Sequence, residues 1–211
     1  NAPYAEKFTV SNVFSSDMVV QRGEHIRVWG FADASENGHK VSGEFMGMFA
    51  EALIENGAWT LTFGARLNAC AEQGNSMRIY TDRTAFVFEN VLVGDVFMVI
   101  GQSNVAYSMA AHRAAVPEAE RGGVGYDVPS TPIRLHYNSL MQETGVTRGT
   151  EEVCAELRNR ETWKRADAAA VQDFSALGYL FAAEYARATG VPVGVIEIDG
   201  NGQPIGAFLP N

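Results

Sequence analysis

The chain is poor in cysteine, in net positive charge and in long apolar runs, and each shortage removes a class of function. Its two cysteines, Cys70 and Cys154, lie far apart without ligand-like neighbours, so they read as free thiols and not as a disulfide framework or a metal site. Lys and Arg number 16 against 25 Asp and Glu, a formal net charge of −9 with no basic run, which argues against a nucleic-acid surface. No apolar stretch approaches the roughly 20 residues of a membrane helix. The N-terminus shows no signal-peptide pattern. The chain opens on Asn1-Ala2 without a methionine. It is therefore read as processed or excised, which leaves a removed leader open and the compartment unassigned. What remains is globular: 46% hydrophobic and 19% charged over 211 residues, enough for one large domain or two small ones.

Residues 1–92 read as all-β. Runs at Met18-Val19-Val20, Ile26 to Gly30, Lys40 to Phe45, Trp59 to Phe63 and Ser76 to Tyr80 partly alternate apolar with polar. Turn signals such as Glu36-Asn37-Gly38 and Glu55-Asn56-Gly57 separate them. That spacing predicts a small β-sandwich or jelly roll. The rhythm changes after residue 92. An apolar run from Val91 to Ile100 predicts a buried strand, and Val105 to Ala115 a helix. Ile133 to Tyr137 predicts a strand, Phe174 to Thr189 an amphipathic helix closed by Gly190, and Val191 to Ile198 another strand. Strands alternating with helices imply a parallel sheet over residues 93–211, incomplete with three strands. The fold class is thus α/β with an all-β N-terminal part. Without a Pro- or Ser-rich spacer near residue 92, the two parts should share an interface.

Gly101-Gln102-Ser103-Asn104 follows the first of these strands. A serine at a strand-to-helix turn exposes its hydroxyl beyond the carboxyl end of the strand, where open α/β sheets place ligands. Free helical N–H groups beside it suit a developing oxyanion. Spacing alone fits two roles for Ser103 equally, nucleophile or helix N-cap. Asp199-Gly200-Asn201-Gly202 reads as a polar turn ending a strand. Trp29 and Trp59 could line a sugar-binding face, though anchoring the sandwich core is the more economical role. Glu151-Glu152 through Arg160 reads as a solvated helix face, and Tyr179, Phe181 and Tyr185 as a buried helix stripe.

Taken in order, several segments resemble the sialate O-acetylesterase family, carbohydrate acetylesterases of the SGNH-hydrolase type. They are Met18-Val19-Val20-Gln21-Arg22, Val28-Trp29-Gly30, Gly57-Ala58-Trp59, Val91 to Val96, Gly101-Gln102-Ser103-Asn104, Phe174 to Tyr179, Phe181-Ala182, Val191 to Ile196 and Pro204 to Phe208. The resemblance implies a β-sandwich-like domain at 1–92 and the N-terminal part of a flavodoxin-like esterase domain at 93–211. It implies removal of O-acetyl groups from sialic acid or other sugars, with no metal or organic cofactor, and favours a secreted or periplasmic location. By position Ser103 is then the nucleophile, its own N–H an oxyanion donor. The second glycine block, usually Gly-Gly-Thr, falls on Asn201-Gly202-Gln203. Gly202 becomes the second donor, with Gln102, Asn104, Asn201 and Gln203 beside substrate.

The chain departs from the family at that block and, more seriously, in lacking Asp-x-x-His. None of His25, His39, His112 and His136 suits a base for Ser103; His112, nine positions on, is over two turns away. The sequence therefore supports an esterase seen without its Asp/His segment, itself of low activity. The alternative is a catalytically inactive sugar-binding or interaction module on an esterase-like fold. The expected partner is an acetylated carbohydrate, without nucleic acid or membrane, and the incomplete α/β half is a candidate for self-association.

Overall fold

The computed structural model describes residues 8–121, 129–139, 162–200, 202 and 204. The N-terminal region is built from alternating strands: β1 (Phe8–Val10), β2 (Val19–Gln21), β3 (His25–Ala32), β4 (Lys40–Phe45), β5 (Met48–Leu53), β6 (Ala58–Arg66), β7 (Met77–Tyr80) and β8 (Ala85–Phe88). Strand β6 shows the principle. Trp59, Leu61 and Phe63 point inward and the residues between them outward, the period-2 pattern of a half-buried strand. Strands β1-β3-β6 form one antiparallel sheet and β5-β4-β7-β8 a second. Their inner faces share a core containing Val28, Trp59, Leu61, Phe63, Val41, Phe45, Met77 and Ile79.

Two tight turns set the register around β5. Asn56-Gly57 has φ +53° and +73°, and Glu55 and Ala58 exchange both backbone bonds across it. Met46-Gly47 has φ +47° and +75° between Phe45 and Met48. Positive φ at both central positions is the hairpin geometry matched to strand twist. The first turn is legible from Asn-Gly. The second places a methionine where glycine or asparagine is usual, and the reading passes over β5 accordingly.

After β9 (Leu92–Gly101) come α1 (Met109–Ala115), β10 (Ile133–Ser139), β11 (Lys164–Arg165), α2 (Ala168–Asp173), α3 (Ala176–Thr189) and β12 (Val193–Asp199). They form a five-stranded sheet in the order β11-β10-β12-β9-β2. Pairs β10/β12, β12/β9 and β9/β2 are parallel, and β11 is antiparallel. The expected three parallel strands are present. A fourth, β2, comes from residues 19–21 and pairs with β9 at Leu92 to Gly94. Helix α3 ends at Gly190, whose φ of +67° is the left-handed C-cap conformation. It packs on the sheet over Val195 and Val193, with Tyr179, Ala182, Ala183 and Ala186 fully buried.

Four expectations need correction. The predicted helix 105–115 begins only at Met109, capped by Ser108. The predicted helix from Phe174 starts two residues later, as α3 at Ala176 capped by Ser175, and a separate short helix, α2, ends before it at Asp173. Trp59 is a core anchor stacked on Phe8, but Trp29 is 42% exposed, its ring edge against Phe14. Tyr179 is buried and Tyr185 half-buried, but Phe181 is exposed, because the sheet takes the Tyr179–Ala182–Ala183–Ala186 stripe. The 151–160 stretch lies outside the described residues.

The N-terminal region is fastened to the five-stranded sheet at Asp95. Arg22 grips both its carboxylate oxygens, Nε to Oδ1 at 2.9 Å and Nη2 to Oδ2 at 2.8 Å. Gln21 and the Tyr185 hydroxyl donate to the same group. The Arg22 hydrogen bonds, with those from Tyr185 and Gln21, hold the Asp95 carboxyl below its ordinary range against the opposing effect of burial. A carboxylate with a depressed folded pKa contributes stability above its unfolded pKa and loses it as pH falls through the folded value. We expect Asp95→Asn to cost about 1–2 kcal/mol at pH 7. The gap from wild type should close as pH drops below about 4, as measured by denaturant melts across pH.

Candidate functional site

Parallel pairing of β9 and β12 brings together the two turns singled out in the sequence. Asp199 lies in register with Gly101, and the Gly200 N–H donates to Gly101 O at 3.0 Å. Both strands therefore end at the same edge of the sheet, on neighbouring strands about 4.8 Å apart. The Gln102–Ser103–Asn104 turn follows one and Gly202, at φ +72°, follows the other.

The first turn is closed on itself. Gln102 O accepts from the N–H groups of Val105 and Ala106, at 2.8 and 3.0 Å. Gln102, Ser103 and Asn104 are all exposed, and among the described residues no backbone hydrogen bond uses the N–H of Ser103 or Asn104. An exposed hydroxyl beside unspent N–H groups is an arrangement that can receive a carbonyl carbon and its developing oxyanion. The N-cap role is taken by Ser108, which accepts from the Ala111 N–H. The helix start also moves away from Ser103, so no helix end contributes there.

The chain is pulled out of helix between Ser103 and Met109 by tertiary bonds. Ala176 N–H donates to Tyr107 O, Met109 N–H donates to Phe174 O, and Ser108 bridges Ser175. That docking strip hangs in turn on β12, where the Glu197 carboxylate accepts the buried Ser175 N–H at 2.8 Å. Glu197 and Asp199 are fully buried on the face that also carries Val193 and Val195. Sequence reading missed both. The signal was available: acids at alternate positions of a strand whose other inward residues are valines. Asp199, read as part of a turn, ends the strand instead.

The histidines are held elsewhere. His25 Nδ1 lies 3.2 Å from Phe63 O, and His39 sits in the turn before β4. His112 stands edge-on to Tyr107, and His136 is buried against Trp163 and Asn12. Burial pushes the His136 imidazole below its ordinary pKa, towards the neutral form. The structure thus sets Gln102, Ser103 and Asn104 at the sheet edge where the Gly202 turn also lies, and the contacts described for the histidines are with other residues. Asn201 and Gln203 lie outside the described residues. No cluster of metal-ligating side chains occurs among the described residues, and none of their helices is long and apolar enough to cross a membrane.

No family model matches the chain, and no curated protein does. Among solved structures it matches a protein described as a novel carbohydrate acetylesterase from Xanthomonas citri, at TM-score 0.72 and 23% identity. The match covers 96% of this chain and 42% of that one. The chain therefore shares the fold of a carbohydrate acetylesterase along nearly its whole length, and spans less than half the length of that neighbour.

We expect Glu197→Leu, which strands the buried Ser175 N–H, to cost about 1–3 kcal/mol, a Tm loss of roughly 2–4 °C per kcal/mol. Glu197→Gln keeps an acceptor and should lose less than half as much in the same thermal melts.

Proposed function

We propose that this chain carries the nucleophile of a serine-dependent carbohydrate O-acetylesterase of the sialate O-acetylesterase type. The observation that carries the reading is Ser103, exposed in a closed turn at the carboxyl end of β9, beside the turn that follows β12. In this mechanism Ser103 Oγ attacks the acetyl carbonyl and gives up its proton to a base. The tetrahedral oxyanion is held by the N–H groups of Ser103 and Gly202. The sugar oxygen leaves, protonated, and water then releases acetate from the acyl-enzyme. Gln102, Asn104, Asn201 and Gln203 contact substrate or oxyanion, and no metal or organic cofactor takes part. The division of the chain into a β-sandwich-like unit at 1–92 and an esterase unit at 93–211 belongs to the same proposal.

No contact among the described residues joins a histidine to Ser103, and the sequence has no Asp-x-x-His, so in this reading the 211-residue chain by itself has low activity. The same observation favours, as a second reading, a sugar-binding module without catalysis. In the natural protein, Ser103→Ala should lower hydrolysis of p-nitrophenyl acetate by about 10³-fold or more while leaving the melting curve in place. Unchanged turnover would reject Ser103 as nucleophile. A natural protein that binds acetylated glycan but never releases acetate would favour the second reading.

Self-association is part of this proposal. Strand β9 pairs with β12 along Asp95 to Gly101, whereas among the described residues its other edge is covered only by β2, at Leu92 to Gly94. On that stretch Met98 is 56% and Ile100 43% exposed. An open strand edge beside exposed apolar side chains recruits another chain. Light scattering after size exclusion should report a dimer or larger, and the pair Met98→Lys and Ile100→Lys a monomer. A wild-type monomer at micromolar concentration contradicts it.

A further inference from the structure

Between the Ser103 turn and α1 the chain carries a single aromatic side chain, Tyr107, and it is 41% exposed. Its backbone is fixed. The Tyr107 carbonyl accepts from the Ala176 N–H at 2.9 Å, one of the donors that the first turn of a helix leaves without an internal partner. Next to it Ser108 bridges Ser175, whose N–H is held in turn by Glu197 of β12. The Tyr107 ring meets His112 of α1 at a centroid distance of 6.1 Å with 81° between the planes, which sets its tilt and leaves apolar ring surface in water.

The chain itself limits how far this ring stands from Ser103. Four residues reach at most about 14 Å when fully extended, and the bonds from Val105 and Ala106 to Gln102 O fold the segment back. One sugar-sized molecule can therefore touch both. The exposed residues of the turn, Gln102, Ser103 and Asn104, offer hydrogen-bonding groups and little apolar surface. Ligand sites combine the two, an apolar surface with a few polar groups that fix orientation. A pyranose matches that division: its ring C–H groups form a flat apolar face that packs on an aromatic ring, while its oxygens take hydrogen bonds. An acyclic acetyl ester brings no such face.

Resting on the esterase reading of Ser103, we propose that Tyr107 is the stacking platform for the pyranose ring of the substrate. The site then selects acetyl groups carried on a sugar ring over those on acyclic alcohols. With its backbone already held, the tyrosine loses only two side-chain rotations on binding, which suits a preorganised surface.

Glucose pentaacetate and ethyl acetate are the paired probes, used with the natural protein. Tyr107→Ala should raise KM for the sugar ester about tenfold with kcat within about twofold, and leave ethyl acetate hydrolysis unchanged. Tyr107→Phe should match wild type, whereas Tyr107→Leu, apolar but without a ring, should behave as the alanine variant does. Binding separates the platform from the nucleophile. In a Ser103→Ala background, adding Tyr107→Ala should weaken the calorimetric affinity for glucose pentaacetate about tenfold. A wild-type protein that releases no acetate speaks against the esterase reading alone, and this binding comparison then decides for Tyr107. Equal or absent binding with and without the ring, rescue by leucine, or a loss on ethyl acetate as large as on the sugar ester would overturn the platform.

Discussion

The geometry of the candidate site depends on the parallel pairing of β9 with β12. Seven consecutive registered positions, Val193 with Asp95 through Asp199 with Gly101, force the two strands to end together. A slip of one residue would turn every side chain to the other face of the sheet. Glu197 and Asp199 would leave the helix-covered side, and the turn carrying Ser103 would no longer end level with the one carrying Gly202. The pairing is secured towards both ends. Helix α3 comes close enough that a Cβ on Gly178 would lie 3.1 Å from Val99, and Asp95 binds Arg22, Gln21 and Tyr185 at the opposite end.

Local periodicity made much of this legible. Strand β4 coincides with the predicted run Lys40 to Phe45, and β10 and β12 fall within two residues of their predicted starts. The failures share a cause. Helix α1 starts late because Tyr107 and Met109 exchange backbone bonds with Ala176 and Phe174, partners more than sixty residues away. A window of local sequence contains no trace of them. Strand β2 was expected among the N-terminal strands, and its pairing with β9 depends on the whole fold.

The candidate site shows the same division. That Ser103 and the Gly202 turn meet at one sheet edge follows from two strands of matched direction, which alternation and the intervening helix disclose. The buried acids behind the site are another matter. Glu197 looks like an ordinary polar position in a strand, and only the docking of the α3 N-terminus on its carboxylate shows why it is tolerated among valines. The fold match to a carbohydrate acetylesterase agrees with this geometry and is silent on the side chains.

Trp163 carries a consequence for how the chain is made. Its indole N–H reaches Val13 O at 2.7 Å, its backbone N–H reaches the Ser15 hydroxyl, and its ring is counted in the core of the N-terminal sheets. Those 150 residues of separation mean that the core of the first-synthesised sheets is closed by a side chain from the last quarter of the sequence. During translation the N-terminal sheets wait, with one wall open, until residue 163 has emerged. At about 5–20 residues per second that interval is of the order of ten seconds. Contacts of such long range also slow folding itself, since loop closure must precede the burial that rewards it.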